Sequence, residues 1–384
     1  MVLIRQIAIM PDPYAYATFQ KEAAISQIGT GAGANAWLGI NASSVAGCGL
    51  NGTPWKNIRV TSMSENPNRD TIREEAIDTV APSSIYGGTL TLQGNLEGSL
   101  MFKSLHDCGL LEAMMGAGSG TTGSFTPSEA SGDSTTTFGA MYQMTMIPAT
   151  IAVRTVDNQA RNPADGSVGM VKIYRGVGIS GAELTLETKN YAQFRTNWVG
   201  RRAEVYPGSA LTADVTSIVG EPSIFYNAVL NFASQVINAN SITINVTRPI
   251  NTNLQYIGSQ FLQDLTYNGI TELGGTINFA ENEYNTIKFM LSGSTSGSIY
   301  TLDQGSTEFD GTLANAIPSG KLVLKFRTPD GTTTAGMIVI DEAKLTESTV
   351  SVQGQNPYEK SVNWSGVINN VDKNFTMYVN TSIS

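Results

Sequence analysis

His106 and Asp107 are adjacent, and of all side chains in the sequence they come nearest to a general base with an orienting carboxylate. Adjacent residues of a helix point to different faces, so the segment favours a solvated helix start over a catalytic pair. The chain has one histidine, and Cys48 and Cys108 stand in neither a CxxC nor a CxxH arrangement. A zinc site would need added carboxylates, for which no spaced cluster is present. We therefore expect no metal and two free thiols.

Two other patterns could carry chemistry. Gly29, Gly31 and Ala34 fit GxGxxA, but dinucleotide binding also needs a preceding strand, a following helix and an acid about 20 residues later. This context favours a flexible Gly-Ala-rich arm. Paired carboxylates such as Glu281 and Glu283 are common in acidic chains, and glycosidase carboxylates are defined by their separation in space. We expect no cofactor and no enzymatic activity.

Composition and charge narrow the class of protein. Hydrophobic residues make up 41% and charged residues 14% of the chain, which is too apolar for a disordered protein. No apolar run approaches the roughly 20 residues that a membrane helix needs, and we expect no membrane insertion. The net charge of −9 opposes tight binding of nucleic acid, because that affinity depends on Lys and Arg at the phosphates. The same charge is compatible with a channel through which a polyanion slides.

Period-two alternation is the main structural signal. Residues 89–103 alternate between apolar and polar side chains, which predicts a half-buried antiparallel strand or hairpin with one wet face. Residues 181–188 alternate in the same way and place Leu184 and Leu186 inward. The polar positions expected on the wet face include Gln93, Asn95, Glu97, Glu183 and Glu187.

Residues 104–116 predict one short amphipathic helix. Leu105, Cys108, Leu111 and Met115 follow at spacings of three and four, and Gly116 ends the segment. A sheet with such a helix against its apolar face gives a mainly β fold of β-sandwich or half-barrel units, each with a short flanking helix.

Internal similarity indicates two tandem copies of this unit. Residues 86–94 (YGGTLTLQG) align without gaps to residues 267–275 (YNGITELGG), and the landmarks Gly169–Met170 and Asn197–Trp198 recur in order as Gly336–Met337 and Asn363–Trp364. A stretch from Ile58 also resembles one from Ile242. Matches in the same order favour a duplication over chance. Trp198 and Trp364 are then expected in a repeated core or seam rather than in a sugar-binding groove.

These landmarks predict four segments. Residues 1–55 form an N-terminal arm, residues 56–207 a first unit, and residues 241–384 a second unit. Residues 117–137 are rich in Gly, Ser and Thr and form a long loop of the first unit. Residues 208–240 form a linker that could contribute a strand at 226–232.

The order of strand pair, short helix, loop, Gly-rich strand and return strand resembles bacteriophage tail tube proteins. Residues 88–118 (GTLTLQGNLEGSLMFKSLHDCGLLEAMMGAG) and the stretch from Val171 (VKIYRGVGISGAELTLETKN) carry the resemblance. It covers most of residues 56–384, in patterns of glycine and hydrophobic residues rather than catalytic motifs.

The resemblance implies a structural virion protein, made in the host cytoplasm, whose rings stack around a lumen that conducts the genome during ejection. Because such rings usually hold six tube domains, a chain with two domains is expected to form trimers. The polar residues Gln93, Asn95, Glu97, Glu183 and Glu187 would line or border the lumen, and DNA would pass without specific binding. The implied partners are further copies of the chain, tape-measure, tail tip or baseplate and terminator proteins, with a sheath protein as a further candidate.

Two other classes of protein stay open from the sequence. One is another self-assembling virion or injection-machine protein, such as a capsid-surface protein or a secretion tube. The other is a β-sandwich carbohydrate-binding module or hydrolase. Hollow tubes of uniform diameter, or binding and turnover of glycans, would separate them.

Overall fold

The computed structural model is dominated by β-strands. It describes residues 15–21, 55–58, 60–74, 84–107, 110–115, 139–142, 149–155, 170–207, 213–214, 222–233, 235–252, 262, 268–279, 319–351, 359–368 and 375–382. The mainly β fold predicted from the alternating pattern is confirmed. None of the described helices is long and apolar enough to cross a membrane.

The first part of the chain contains ten strands and two short helices among its described residues. They are β1 (Ala15–Lys21), β2 (Trp55–Ile58), β3 (Val60–Glu74), β4 (Ser84–Ser99), α1 (Phe102–Asp107), α2 (Leu110–Met115), β5 (Ala140–Tyr142), β6 (Ala149–Thr155), β7 (Met170–Glu187), β8 (Gln193–Gly200), β9 (Arg202–Pro207) and β10 (Ala213–Asp214).

A 3₁₀ turn at Phe225–Asn227 leads into the second part, whose described elements are all strands. They are β11 (Ala228–Phe232), β12 (Gln235–Ile237), β13 (Ala239–Thr247), β14 (Glu272–Phe279), β15 (Ser319–Arg327), β16 (Thr334–Ser351), β17 (Glu359–Gly366) and β18 (Phe375–Val379).

One antiparallel sheet runs through both parts. Its neighbours follow the order β3-β4-β8-β7-β13-β14-β17-β16-β15-β11-β12. The first half of β7 also pairs with β6 and β9, and β6 continues through β1 to β2. The first half of β16 likewise pairs with β18, which pairs with β5. The short β10 lies parallel to β2, and the other described pairings are antiparallel.

The two parts have the same order of strand pairing. In the first part β3 pairs with β4, β4 with β8, β8 with β7, and β7 with β6 and β9. In the second part β13 pairs with β14, β14 with β17, β17 with β16, and β16 with β15 and β18. Register shifts also recur, between Ile179 and Gly181 in β7 and between Leu345 and Glu347 in β16.

Two tryptophans occupy matching ladder positions. Trp198 lies opposite Gly94 across β8 and β4, and Trp364 lies opposite Gly275 across β17 and β14. Both indoles are buried, with exposed fractions of 1% and 3%. Gly94 and Gly275 are also the last residues of the two segments aligned from sequence, so the ladders agree with that alignment. They put Met63, rather than Ile58, at the ladder position that matches Ile242.

The helical segment covers apolar strand residues of both parts. The ring of Phe102 lies 5.2 Å from that of Phe326, centroid to centroid, and Gly336 leaves the space that Phe102 occupies. Lys103 Nζ donates to the carbonyl of Thr381 at 2.8 Å. The expected single helix is two short helices, and Cys108 lies outside the described residues.

Other sequence expectations fall partly on described residues. Within the expected arm, β1 pairs along its length with β6. The strand expected at 226–232 is present as β11. Residues 117–137, the expected loop, and Glu281 and Glu283 lie outside the described residues, as do Gly29, Gly31 and Ala34. The boundaries of the two units stay predictions.

Candidate functional site: the polar face of the sheet

The sheet has one apolar and one polar face because side chains alternate along its strands. In β8 the alternation is regular from Gln193 to Trp198, with Phe194, Thr196 and Trp198 buried. In β7 Leu184 and Leu186 are buried, while Glu187 is exposed. The inward assignment of Leu184 and Leu186 and the outward assignment of Glu187, made from sequence, are confirmed. We call the outward surface of β4, β8, β7, β13, β14 and β17 the polar face.

A row of charged and amide side chains crosses the first part of the polar face. Glu97 lies opposite Arg195 in the β4–β8 ladder, Arg195 opposite Glu183 in the β8–β7 ladder, and Glu183 opposite Asn245 in the β7–β13 ladder. Arg195 Nε lies 3.1 Å from Glu97 Oε1, with about half of the Arg195 side chain exposed. Solvent screens such a pair, so it orders the surface more than it stabilises the fold.

A second row continues across the strands of the second part. Thr243 lies opposite both Thr185 and Thr276, Thr276 opposite Asn363, and Asn363 opposite Glu347. Thr276 Oγ1 donates to Asn363 Oδ1 at 3.0 Å, and Asn363 Nδ2 donates to Glu347 Oε2 at 3.1 Å. The polar face is thus continuous across the junction of β7 with β13.

The five residues singled out from sequence all lie on this face. Gln93, Asn95 and Glu97 are alternate residues of β4, and Glu183 and Glu187 occupy the same alternation in β7. Asn95 Oδ1 accepts from the backbone N–H of Ser64 at 3.0 Å and from its hydroxyl. Glu187 lies opposite Ser241 in β13. Their role in a lumen stays a prediction.

The chemistry available on this face is solvation and charge. Its carboxylates at positions 97, 183, 187 and 347 outnumber its cations Arg195 and Lys344, the latter opposite Ser365 in the β16–β17 ladder. Among the described residues, no three His, Cys, Asp or Glu side chains are grouped to hold a metal ion. The carboxylates of this face repel phosphates, and the face has few Lys or Arg side chains that would attract them.

A charged cluster on the opposite side of the sheet was missed from sequence. Glu65 of β3 accepts from Lys172 Nζ at 3.0 Å and 3.1 Å, and from the hydroxyl of Tyr174. The Tyr174 ring lies 4.8 Å from that of Trp198, so the cluster borders the apolar core. The only signal available was Glu65 itself, a charge at a position of β3 that alternation assigns to the apolar side.

Continuous antiparallel ladders, with a polar face on one side and two short helices on the apolar side, form a β-sheet scaffold. The family model described as phage tail tube protein matches residues 21–366, and the chain belongs to that family. A comparison with curated proteins gave no match. The protein is therefore a structural component of a phage virion tail that self-assembles into a tube, and its family is not an enzymatic one.

Proposed function

We propose that the chain carries two tube units, at 56–207 and 241–384, and that three chains form a ring of six units. Such rings stack into the tail tube that conducts the genome during ejection. The observation that carries the proposal is the repeated order of pairing, β3-β4-β8-β7 followed directly by β13-β14-β17-β16. Closed cyclic symmetry is the common form of homo-oligomers, and three chains with two units each make six places.

Details beyond strand order support two related units. Ser180 and Thr346 both lie at the register shifts of the long strands, and each hydroxyl donates to the carbonyl of an asparagine, Asn197 at 3.1 Å and Asn363 at 3.2 Å. Glycine lies opposite tryptophan in both units, and Nε1 of each indole is buried without a partner. Unrelated sheets would not be expected to share all of these features at the same ladder positions.

The polar face is the proposed lumen surface. A ring must turn one face of its sheet inward, and the helices α1 and α2 pack on the apolar side, where they would obstruct a channel. An inward polar face presents the carboxylates of Glu97, Glu183 and Glu187 to the DNA. Like charge and the scarcity of Lys and Arg would let a polyanion pass without being held.

The remaining partners follow from this role and are proposals as well. A tape-measure protein would occupy the lumen before DNA, and tail tip or baseplate and terminator proteins would close the two ends. A sheath protein would contact the outer surface if the tail contracts. The loop at 117–137 and residues 1–55 would bridge neighbouring rings, and the virion tail would be assembled from chains made in the host cytoplasm.

Electron microscopy tests the proposal. Purified protein is expected to form hollow tubes of uniform diameter, and a cryo-EM map is expected to show three chains and six superposable units per ring. Six chains per ring, or halves of the chain that do not superpose, would refute the trimer. A lumen lined by the helices would refute the assignment of the polar face.

A further inference from the structure

The junction of β7 with β13 joins the two strand sets edge to edge. Residues 181–187 of β7 pair antiparallel with residues 241–247 of β13, from Gly181 opposite Thr247 to Glu187 opposite Ser241. On their other sides β7 pairs with β8 and β13 pairs with β14. This junction is therefore the place where the last half-strand of one set meets the first strand of the next.

The hydrogen bonds at the two ends of the junction show which of its opposite residue pairs are hydrogen-bonded. The N–H of Arg248 donates to the carbonyl of Ser180 at 2.8 Å, and the N–H of Thr188 donates to the carbonyl of Asn240 at 2.9 Å. Bonded and non-bonded pairs alternate in an antiparallel ladder. Val246 with Ala182 is thus a bonded pair, and Asn245 with Glu183 is a non-bonded pair.

Two other strand edges of the sheet correspond to the two strands of this junction. The second half of β16 corresponds to that of β7, because Leu345 lies opposite Trp364 as Ile179 lies opposite Trp198. β3 corresponds to β13, because Glu65 lies opposite Gly94 as Ile244 lies opposite Gly275. Within the described residues, the second half of β16 pairs on one side only, with β17, and β3 pairs on one side only, with β4.

We infer that the second half of β16 pairs antiparallel with β3 of a second copy of this chain, in the register of the β7–β13 junction. This inference rests on the proposed ring and specifies how its chains meet. The correspondence places Ser64 opposite Ser351, Asn66 opposite Thr349, and Asn68 opposite Glu347. We call this contact the ring seam.

Pro67 fits the side of β3 that the ring seam would use. It corresponds to Val246, and the N–H of Val246 points towards β7 because Val246 and Ala182 are a hydrogen-bonded pair. The nitrogen of Pro67, which carries no hydrogen, therefore faces away from β4. Proline is tolerated in edge strands at such positions. It also hinders indiscriminate strand addition, because one donor is missing from the exposed edge. In the ring seam, the backbone N–H and carbonyl of Glu65 and the carbonyl of Pro67 would still form hydrogen bonds with the neighbouring strand.

The polar face would continue through the ring seam. Asn66 and Asn68 are exposed on the side of β3 that carries Ser62 and Ser64, and these serines lie opposite Glu97 and Asn95 of the polar face. Glu347 is exposed on the second half of β16 and ends the row through Asn363. An asparagine amide beside a carboxylate is a favourable cross-strand pair, because the amide donates and the carboxylate accepts.

Disulfide trapping in assembled protein tests the ring seam. The parent carries Cys48→Ser and Cys108→Ser, and the test variant adds Asn66→Cys and Thr349→Cys. A non-bonded antiparallel pair has Cα atoms about 4.5 Å apart, within the range a disulfide spans. The matched control, Asn66→Cys with Ser351→Cys, is offset by two residues, at about 7–8 Å. Each single-cysteine variant is a further control.

Mild oxidation followed by non-reducing electrophoresis is expected to give dimers and closed trimers for the test variant, and monomers for the controls. No crosslink in tubes, or equal crosslinking of the offset pair, would overturn the ring seam while leaving the ring intact. Crosslinks that run past trimers would support the seam and refute three chains per ring.

Reduced samples, examined by negative-stain microscopy, separate failure of assembly from failure of the seam. A parent that forms no tubes would refute the proposed function itself. If only the test variant fails to assemble, Asn68→Cys with Glu347→Cys probes the same register at the next non-bonded pair, and the same outcomes decide it.

Discussion

Gly94 lies directly opposite Trp198 in the β4–β8 ladder, and a Cβ built on Gly94 would lie 2.5 Å from Cζ2 of the indole and closer still to the carbonyl oxygen of Ser64. Gly275 and Trp364 repeat the relationship in the β14–β17 ladder, at 2.9 Å. Strand glycines often mark such close approaches. In this protein the absence of a side chain makes room for the largest aromatic residue of each strand set.

We expect Gly94→Ala and Gly275→Ala each to lower the free energy of unfolding by about 1–3 kcal/mol, the usual cost of overpacking a core. Denaturant unfolding of the unassembled chain, followed by tryptophan fluorescence, measures the change. Gly181→Ala is the matched control, because its Cβ would have its nearest neighbour at 3.4 Å. A loss as large for Gly181→Ala as for Gly94→Ala would contradict this explanation.

Removal of the Glu65 carboxylate is expected to cost more stability than removal of the Glu97 carboxylate. Glu65 accepts hydrogen bonds from Lys172 and Tyr174 at the edge of the core, and 20% of its side chain is exposed. Glu97 is 35% exposed and pairs with a half-exposed arginine. Charged hydrogen bonds contribute about 1.5–3 kcal/mol, and exposed ion pairs about 0–1 kcal/mol.

Unfolding free energies of Glu65→Ala and Glu97→Ala, measured side by side, test this order. Tyr174→Phe serves as an intermediate case, because it removes one donor and keeps the ring on Trp198. Equal losses for the two glutamate variants would show that the cluster at Glu65 stabilises no more than a surface pair.

The sequence predicted the polar face well, and the reason is local. Alternation at 89–103 and 181–188 assigns the residues of these two segments to a face as soon as one face is known to be buried. The segments 86–94 and 267–275, aligned from sequence, both end at a glycine that lies opposite a tryptophan in its ladder. Glycine and tryptophan were therefore useful landmarks in the sequence, because they lie where the strands pack closely.

Features that depend on distant partners could not be predicted in this way. Glu65 and Lys172 meet although β4 and β8 separate β3 from β7 in the sheet order, and nothing near Glu65 in sequence indicates Lys172. The ladders relate Met63, rather than Ile58, to Ile242, and a register shift between Val60 and Ser62 interrupts the alternation of β3. An alternating pattern matches itself at every second position, so alternation alone cannot set a register.

The turn between β15 and β16 is expected to respond to acid through Asp330. The pKa of its carboxyl is lowered from 3.8 to about 2 by hydrogen bonds, first from the Thr328 hydroxyl, then from the N–H and the hydroxyl of Thr332. Because the folded pKa lies below the unfolded one, the stabilisation is fully present above about pH 4. It is lost as the pH falls towards 2.

NMR titration of aspartate-labelled protein measures this pKa. Thr328→Val removes the donor with the largest effect and is expected to move the pKa of Asp330 back towards 3.8, while Thr333→Val leaves the carboxylate donors in place. A wild-type Asp330 that titrates near 4 would show that these hydrogen bonds do not form in solution.

Reversal of charge on the polar face is expected to leave the tube intact and to slow the passage of DNA. Glu97, Glu183 and Glu187 are exposed or half-exposed, so their replacement by Lys disturbs little packing. Lysines in the lumen would attract phosphates that the glutamates repel, and a polyanion would then be retained along its path. Phage particles assembled with the triple variant are expected to eject DNA more slowly in a fluorescence assay.

Salt and a neutral variant separate charge from shape in that assay. The Debye length is about 10 Å at 0.1 M salt and about 3 Å at 1 M, so the delay is expected to shrink as salt rises. The matched variant with Gln at the same three positions keeps the side-chain size and is expected to eject at nearly the normal rate. Ejection by the Lys variant at the wild-type rate in low salt would place these residues outside the lumen, because only side chains that face the DNA can change its passage in this salt-dependent way.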